Sequence, residues 1–168
     1  LMKLLEDKNI DNKKLIDIGG ANGSFCSYIR SINKNIFLKN SDYNQKILKS
    51  NLEFFKKNKI NFKQDDANSL SEKENFYDYV TSFGVTQIFD DFVPSFSEMI
   101  RIAKPGGIIC NSILVNEKEV DVIIKYLDPI SKEQIPGWNK FSIKSISNFL
   151  EQNSKVENFN FYKHKLPF

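Results

Sequence analysis

The residues best suited to chemistry open the chain's first apolar run: Leu15-Ile-Asp-Ile-Gly19-Gly20-Ala21-Asn22-Gly23-Ser24-Phe25. Glycines are needed where backbone must turn tightly and approach a ligand with no Cβ in the way. The spacing decides which ligand. A dinucleotide fingerprint needs glycine at 19, 21 and 24, where this chain has Gly, Ala and Ser. A phosphate-cradling loop needs Gly-Lys five residues after its first glycine, and neither Gly19 nor Gly20 supplies it. What remains is D-x-G-x-A-x-G, one residue shorter than the dinucleotide version. Two acidic sites follow. Asp42, in Leu38-Lys-Asn-Ser-Asp-Tyr43-Asn, is a carboxylate able to accept from both hydroxyls of a ribose, or to cap the helix starting near Gln45. Asp65 and Asp66 precede Ala67 after a further apolar run.

These motifs need a frame. Short apolar runs at Leu15–Ile18, Ile36–Leu38, Ile60–Phe62, Phe76–Phe83 and Ile108–Val115 read as strands buried on both faces. Helical spacing of apolar residues marks Ser24–Ile32, Gln45–Lys57 and Asp91–Ala103. The alternation predicts a Rossmann-like, doubly wound α/β fold with a mostly parallel sheet and helices on both faces. Ligands bind such sheets outside the carboxyl ends of the strands, where the glycine turn lies. Beyond Val115 the reading is a helix over Glu117–Leu127, a loop to Lys140 carrying Trp138, a helix over Ser142–Gln152 and a last strand over Val156–Tyr162. One clear strand is too few for a closing hairpin, so the C-terminal edge is expected to be incomplete.

With that frame, the chain resembles the class I S-adenosylmethionine-dependent methyltransferases over roughly residues 14–115. Asp17, Gly19 and Gly23 match the first motif, with Ala21 in place of its middle glycine. The resemblance implies that Asp17, Gly19, Gly20, Ala21, Gly23, Asp42, Tyr43, Asp66, Ala67, Phe83 and Gly84 surround S-adenosylmethionine and its product S-adenosylhomocysteine. Asp42 would take the ribose, and Asp66, with Asp65 as fallback, the adenine amino group. Arg101-Ile-Ala-Lys-Pro-Gly-Gly resembles the family's turn into the fifth strand, a structural element. The exit of the fourth strand would face the acceptor, with Thr86 and Gln87 beside it. The segment 116–140, with Tyr126 and Trp138, would cover it. Such a transfer mainly needs donor and acceptor aligned, with a general base only where the acceptor must lose a proton, and the sequence names no residue for that role.

The signature turn of exocyclic-amine methyltransferases is absent, as Thr81-Ser-Phe-Gly-Val stands there. That favours a small-molecule acceptor over RNA or protein. A degenerate subunit binding a partner, or a second copy, at the sheet edge is the non-enzymatic alternative. Composition adds limits. The chain of 168 residues suits one domain, 1–168. Net charge is +3, and Arg30 and Arg101 are the only arginines, which argues against nucleic-acid recognition. Cys26, Cys110 and His164 offer no zinc-ligand spacing, so no metal is expected, and His164 reads as part of an exposed tail. No apolar run approaches membrane-spanning length and no signal-peptide core precedes Asp11, so a cytoplasmic setting with reduced thiols is expected. The chain starts at Leu1 rather than Met, as a piece of a longer protein would.

Overall fold

The computed structural model describes residues 10–163. Five strands form one sheet: β1 (Lys14–Ile18), β2 (Phe37–Asp42), β3 (Asn61–Gln64), β4 (Tyr77–Phe83) and β5 (Ala103–Ser112). Their order is β3-β2-β1-β4-β5 and every pairing is parallel. All five carboxyl ends therefore lie along one edge. Alternation on β1 divides the core. Leu15 packs with Cys26, Ile29, Leu38 and Phe55 on one face, while Ile16 and Ile18 pack with Val80, Met99 and Ile102 on the other.

The first face is covered by helices α1 (Ser24–Ile32), α2 (Gln45–Ser50) and α3 (Leu52–Lys57). The expected helix over 45–57 is broken at Asn51, whose side-chain amide donates to the Ile47 carbonyl. The cap of α2 is Asn44, which accepts from the Lys46 and Ile47 amides, so Asp42 is not spent as a cap. The other face is covered by α4 (Val93–Ile102), opened by Pro94 in its first turn. Arg101 in its last turn ties α4 to the β3–β4 connection, donating to Glu98 and to the Leu70 and Glu72 carbonyls. A 3-10 turn, Thr86–Ile88, links β4 to α4.

Two expectations fail after β5. Residues 117–127 are not helical. They run from β6 (Val115–Asn116) through a bend at 117–119 and irregular chain into β7 (Lys125–Leu127), which pairs antiparallel with β8 (Gln134–Pro136). The reason is local: the Ile124 and Val122 amides are taken by Asn139 Oδ1 and the Lys140 carbonyl instead of by a preceding turn. The predicted strand over Val156–Tyr162 is irregular chain, and among the described residues no strand pairs with it. Between them, β9 (Phe141–Ser142) leads into α5 (Ile143–Gln152), capped by the Ser142 hydroxyl at 2.9 Å from the Ser145 amide. Ile146 and Phe149 of α5 pack on Phe92, at the start of α4. Among the described residues the outer edge of β5 is unpaired, and no helix is long and apolar enough to cross a membrane. His164 lies outside the described residues.

Candidate functional site

Gly19, Ala21 and Gly23 all have positive φ (69°, 46° and 77°), so the turn after β1 is left-handed three times in five residues. A Cβ at Gly19 would lie 2.1 Å from Val85 Cγ2, and one at Gly23 would lie 2.4 Å from the Phe55 ring. The glycines therefore serve both conformation and close packing. Main-chain bonds fix the loop. Gly20 N–H donates to the Ser41 carbonyl at 3.1 Å, and Gly23 N–H to the Gly20 carbonyl at 2.8 Å.

Asp42 stands beside this turn at the end of β2. Its Oδ2 accepts from the Ala21 amide at 2.9 Å and its Oδ1 from the Asn44 amide at 2.8 Å. Each oxygen keeps lone-pair capacity for a further donor, which a ribose hydroxyl could supply. The Asp65 amide donates to the Asp42 carbonyl, so the exit of β3 is held next to it. The two candidates there part ways. Asp65 binds the Ser71 amide and hydroxyl, at 2.7 Å for the latter, and closes its own loop. Asp66 is exposed and accepts from the Asn68 amide at 2.9 Å. The Ala67 methyl is buried in the core.

On the far side of the glycine turn, Phe83 is partly exposed and meets Phe25 edge-on at 5.0 Å between centroids. Gly84 has φ 75°, and a side chain there would meet nothing within 4 Å. Tyr43 is 74% exposed. The Gly19–Gly23 turn, Asp42, Asp66 and Gly84 thus occupy the ends of four adjacent strands on one edge.

Three sequence candidates sit elsewhere. Asp17 is 2% exposed, beneath the loop rather than facing the cleft, and its Oδ1 accepts from Thr81 Oγ1 at 2.8 Å. Burial raises its carboxyl from the usual 3.8 to about 7, with the Thr81 hydroxyl opposing and the Asp42 charge adding. Thr86 is fully buried, its hydroxyl accepting from Asn111 Nδ2 at 3.1 Å. Gln87 is also buried, and its Oε1 accepts from the Leu114 amide. Thr86 and Gln87 thus brace the sheet exit from inside and offer no side chain to an acceptor. Trp138 is 60% exposed, in the chain just beyond β8.

Sequence reasoning missed two buried amides. Asn139 donates to the Phe89 carbonyl, accepts from the Ile124 amide, and gives its own N–H to the Gln87 carbonyl. It clasps the hairpin to the exit of β4. Asn40 lies inside β2 and donates to the Ala21 carbonyl at 3.2 Å. A polar residue on the strand that follows Leu38 was the available signal.

The model of the methyltransferase domain family matches residues 16–111, more than half of the chain. The chain belongs to this family. Solved structures agree on the fold. An S-adenosylmethionine-dependent methyltransferase from Methanosarcina mazei is 17% identical with a TM-score of 0.69, covering 90% of this chain and 83% of its own. The PH0226 protein of Pyrococcus horikoshii is 17% identical with a TM-score of 0.64, covering 89% and 76%. A methyltransferase of Haloferax volcanii, solved with the Trm112 methyltransferase activator, is 17% identical with a TM-score of 0.65. That alignment covers 88% of this chain and 64% of the Haloferax protein, so the chain spans just under two thirds of that relative. No curated protein matches. The chain has the class I Rossmann-like architecture of that family.

Proposed function

We propose that the chain transfers a methyl group from S-adenosylmethionine to a small-molecule acceptor. The observation that carries this reading is the alignment of the glycine turn, Asp42, Asp66 and Gly84 on one strand-end edge, in the family's order. The residues fit the cofactor: Asp42 has spare acceptor capacity beside the turn, Asp66 is exposed one strand further out, and the space at Gly84 is open. Asp42 would hold the ribose hydroxyls, Asp66 and the Ala67 amide the base, and the backbone of residues 19–23 the amino-acid tail. When bound, the cofactor supplies a methyl carbon already activated by a sulfonium. The protein's task is then alignment, with Phe83 and Gly84 bounding the side on which an acceptor must approach. Trp138, just beyond the hairpin that Asn139 clasps, is the residue we place over the acceptor.

Titration calorimetry with S-adenosylmethionine and S-adenosylhomocysteine tests the reading. Both should bind, and Asp42→Ala should weaken each by about tenfold or more, the scale of one or two charge-assisted hydrogen bonds. Unchanged affinity in that variant, with circular dichroism intact, would refute the assignment. The Haloferax relative's activator gives some support to a partner-dependent reading, since β5 offers an unpaired edge. Turnover by the chain alone would dismiss that.

A further inference from the structure

Gly20 covers two buried oxygens. A Cβ built there would lie 2.1 Å from Asn40 Oδ1 and 2.6 Å from Asp17 Oδ2, so those oxygens are no more than 4.7 Å apart. Both residues are sealed from solvent. Asp17 Oδ1 is served by the Thr81 hydroxyl of β4, and Asn40 Nδ2 by the Ala21 carbonyl. Among the described residues Asn40 Oδ1 has no donor. The charged and titratable groups facing the pair do not supply one. Asp42, at the end of β2, adds negative charge. Cys26 of α1 is a thiol that burial keeps protonated, and its Sγ turns to the Lys39 carbonyl. Arg30, farther along α1, donates to the carbonyls of Lys34, Asn58 and Lys59. A buried acceptor left without a donor, as Asn40 Oδ1 is, costs about 1–3 kcal/mol. A proton on Asp17 Oδ2 would supply Asn40 Oδ1 with the donor it lacks.

We propose that Asp17 holds this proton in the free protein, aims it at Asn40 Oδ1, and releases it to solvent when a positively charged methyl donor occupies the site, so that the pair discriminates the sulfonium donor from its thioether product. The inference rests on the reading of the site given above. Charge balances: the proton leaves as the sulfonium charge arrives, whereas the product lacks that charge and leaves the proton in place. Burial supports the protonated form, since the Asp17 carboxyl is raised to about 7. Asn40 is a specificity residue on this account, through a side chain that need never touch the ligand.

Two measurements test it. Carbon-detected NMR of the ligand-free protein should show the Asp17 carboxyl titrating near neutral pH; a midpoint in the ordinary carboxylate range overturns the inference. Calorimetry in buffers of differing ionisation heat should then show about half a proton released at pH 7 on binding S-adenosylmethionine, and donor affinity about tenfold weaker at pH 6 than at pH 8, as linkage to a single group requires. S-adenosylhomocysteine should release none beyond what Asp17→Asn shows with the same ligand. In Asp17→Asn, whose amide mimics the protonated acid, the donor's extra release and extra pH dependence should vanish. Binding with equal proton release in both proteins overturns the inference and leaves the donor assignment standing. Failure of either ligand to bind overturns both, and the carboxyl titration still reports whether the proton is there.

Discussion

Ala21 is the one place where the glycine turn departs from the family motif, and the backbone records it. Its φ of 46° lies in the left-handed region, which costs a residue with a Cβ roughly 1 kcal/mol. Ala21→Gly should therefore raise stability by up to about 1 kcal/mol, seen as a higher urea midpoint at unchanged slope. Gly23 is the opposite case. Its φ is 77° and a Cβ would stand 2.4 Å from the Phe55 ring, so Gly23→Ala should cost about 1–3 kcal/mol in the same assay. Gly19 and Gly23 were legible in the sequence because glycine takes up such geometry without strain. Asp42 was legible in place but not in partners, since the Ala21 amide it accepts from is 21 residues away. Asn40 and Asn139 were not legible. A buried amide's use depends on which carbonyls and amides the fold brings to it, and Asn139 reaches Phe89, 50 residues earlier.

At the scale of elements, β1 to β5 and α1, α4 and α5 follow from apolar spacing, because burial against the sheet selects the same residues that the period marks. The hairpin does not. Val120, Ile123, Ile124 and Leu127 fit a helical stripe equally well, yet all four are left exposed, with no layer beneath to bury one. Asn139 settles the outcome by satisfying Ile124 and anchoring the segment to residues 87–89. Asn139→Leu leaves the Ile124 amide and Phe89 carbonyl without that partner, a loss of about 2–4 kcal/mol. Hydrogen exchange should localise it: the Ile124 and Gly137 amides should lose protection while those of β1 and β4 keep theirs. Trp138 is the only tryptophan, so its emission reports the same segment. If the hairpin covers the site, saturating S-adenosylhomocysteine should shift that emission in the native protein and not in Asn139→Leu. An unchanged spectrum in both would place the hairpin away from the cleft.

Across the whole molecule the two ends of the sheet respond to pH in opposite senses. Away from the site, three carboxylates are held below their usual range. At the start of β4, Asp78 accepts from the Lys14 amide and is paired with Lys13 and Lys104. Glu72 is bound by Lys39 and the Tyr77 hydroxyl, and Glu98 by Arg101 and the Leu70 amide. Against the opposing effect of burial, these bonds keep Glu72 and Asp78 low, and for Glu98 the Arg101 bonds dominate. Their stabilisation is present above the ordinary carboxylate values and is lost as pH falls below about 4. Asp17 at the carboxyl end is raised to about 7, so the folded state holds a proton that the unfolded chain gives up above 3.8. Its contribution is complete below 3.8 and is lost progressively as pH rises to about 7. The two limbs together put maximal stability in the mildly acidic range, and thermal unfolding from pH 3 to pH 8 should show a maximum near pH 4–5. Asp17→Asn should flatten only the upper limb, raising the melting temperature at pH 8 by several degrees and leaving the acid limb where it was. A variant that moved both limbs equally would mean that Asp17 is not the group whose proton the fold retains.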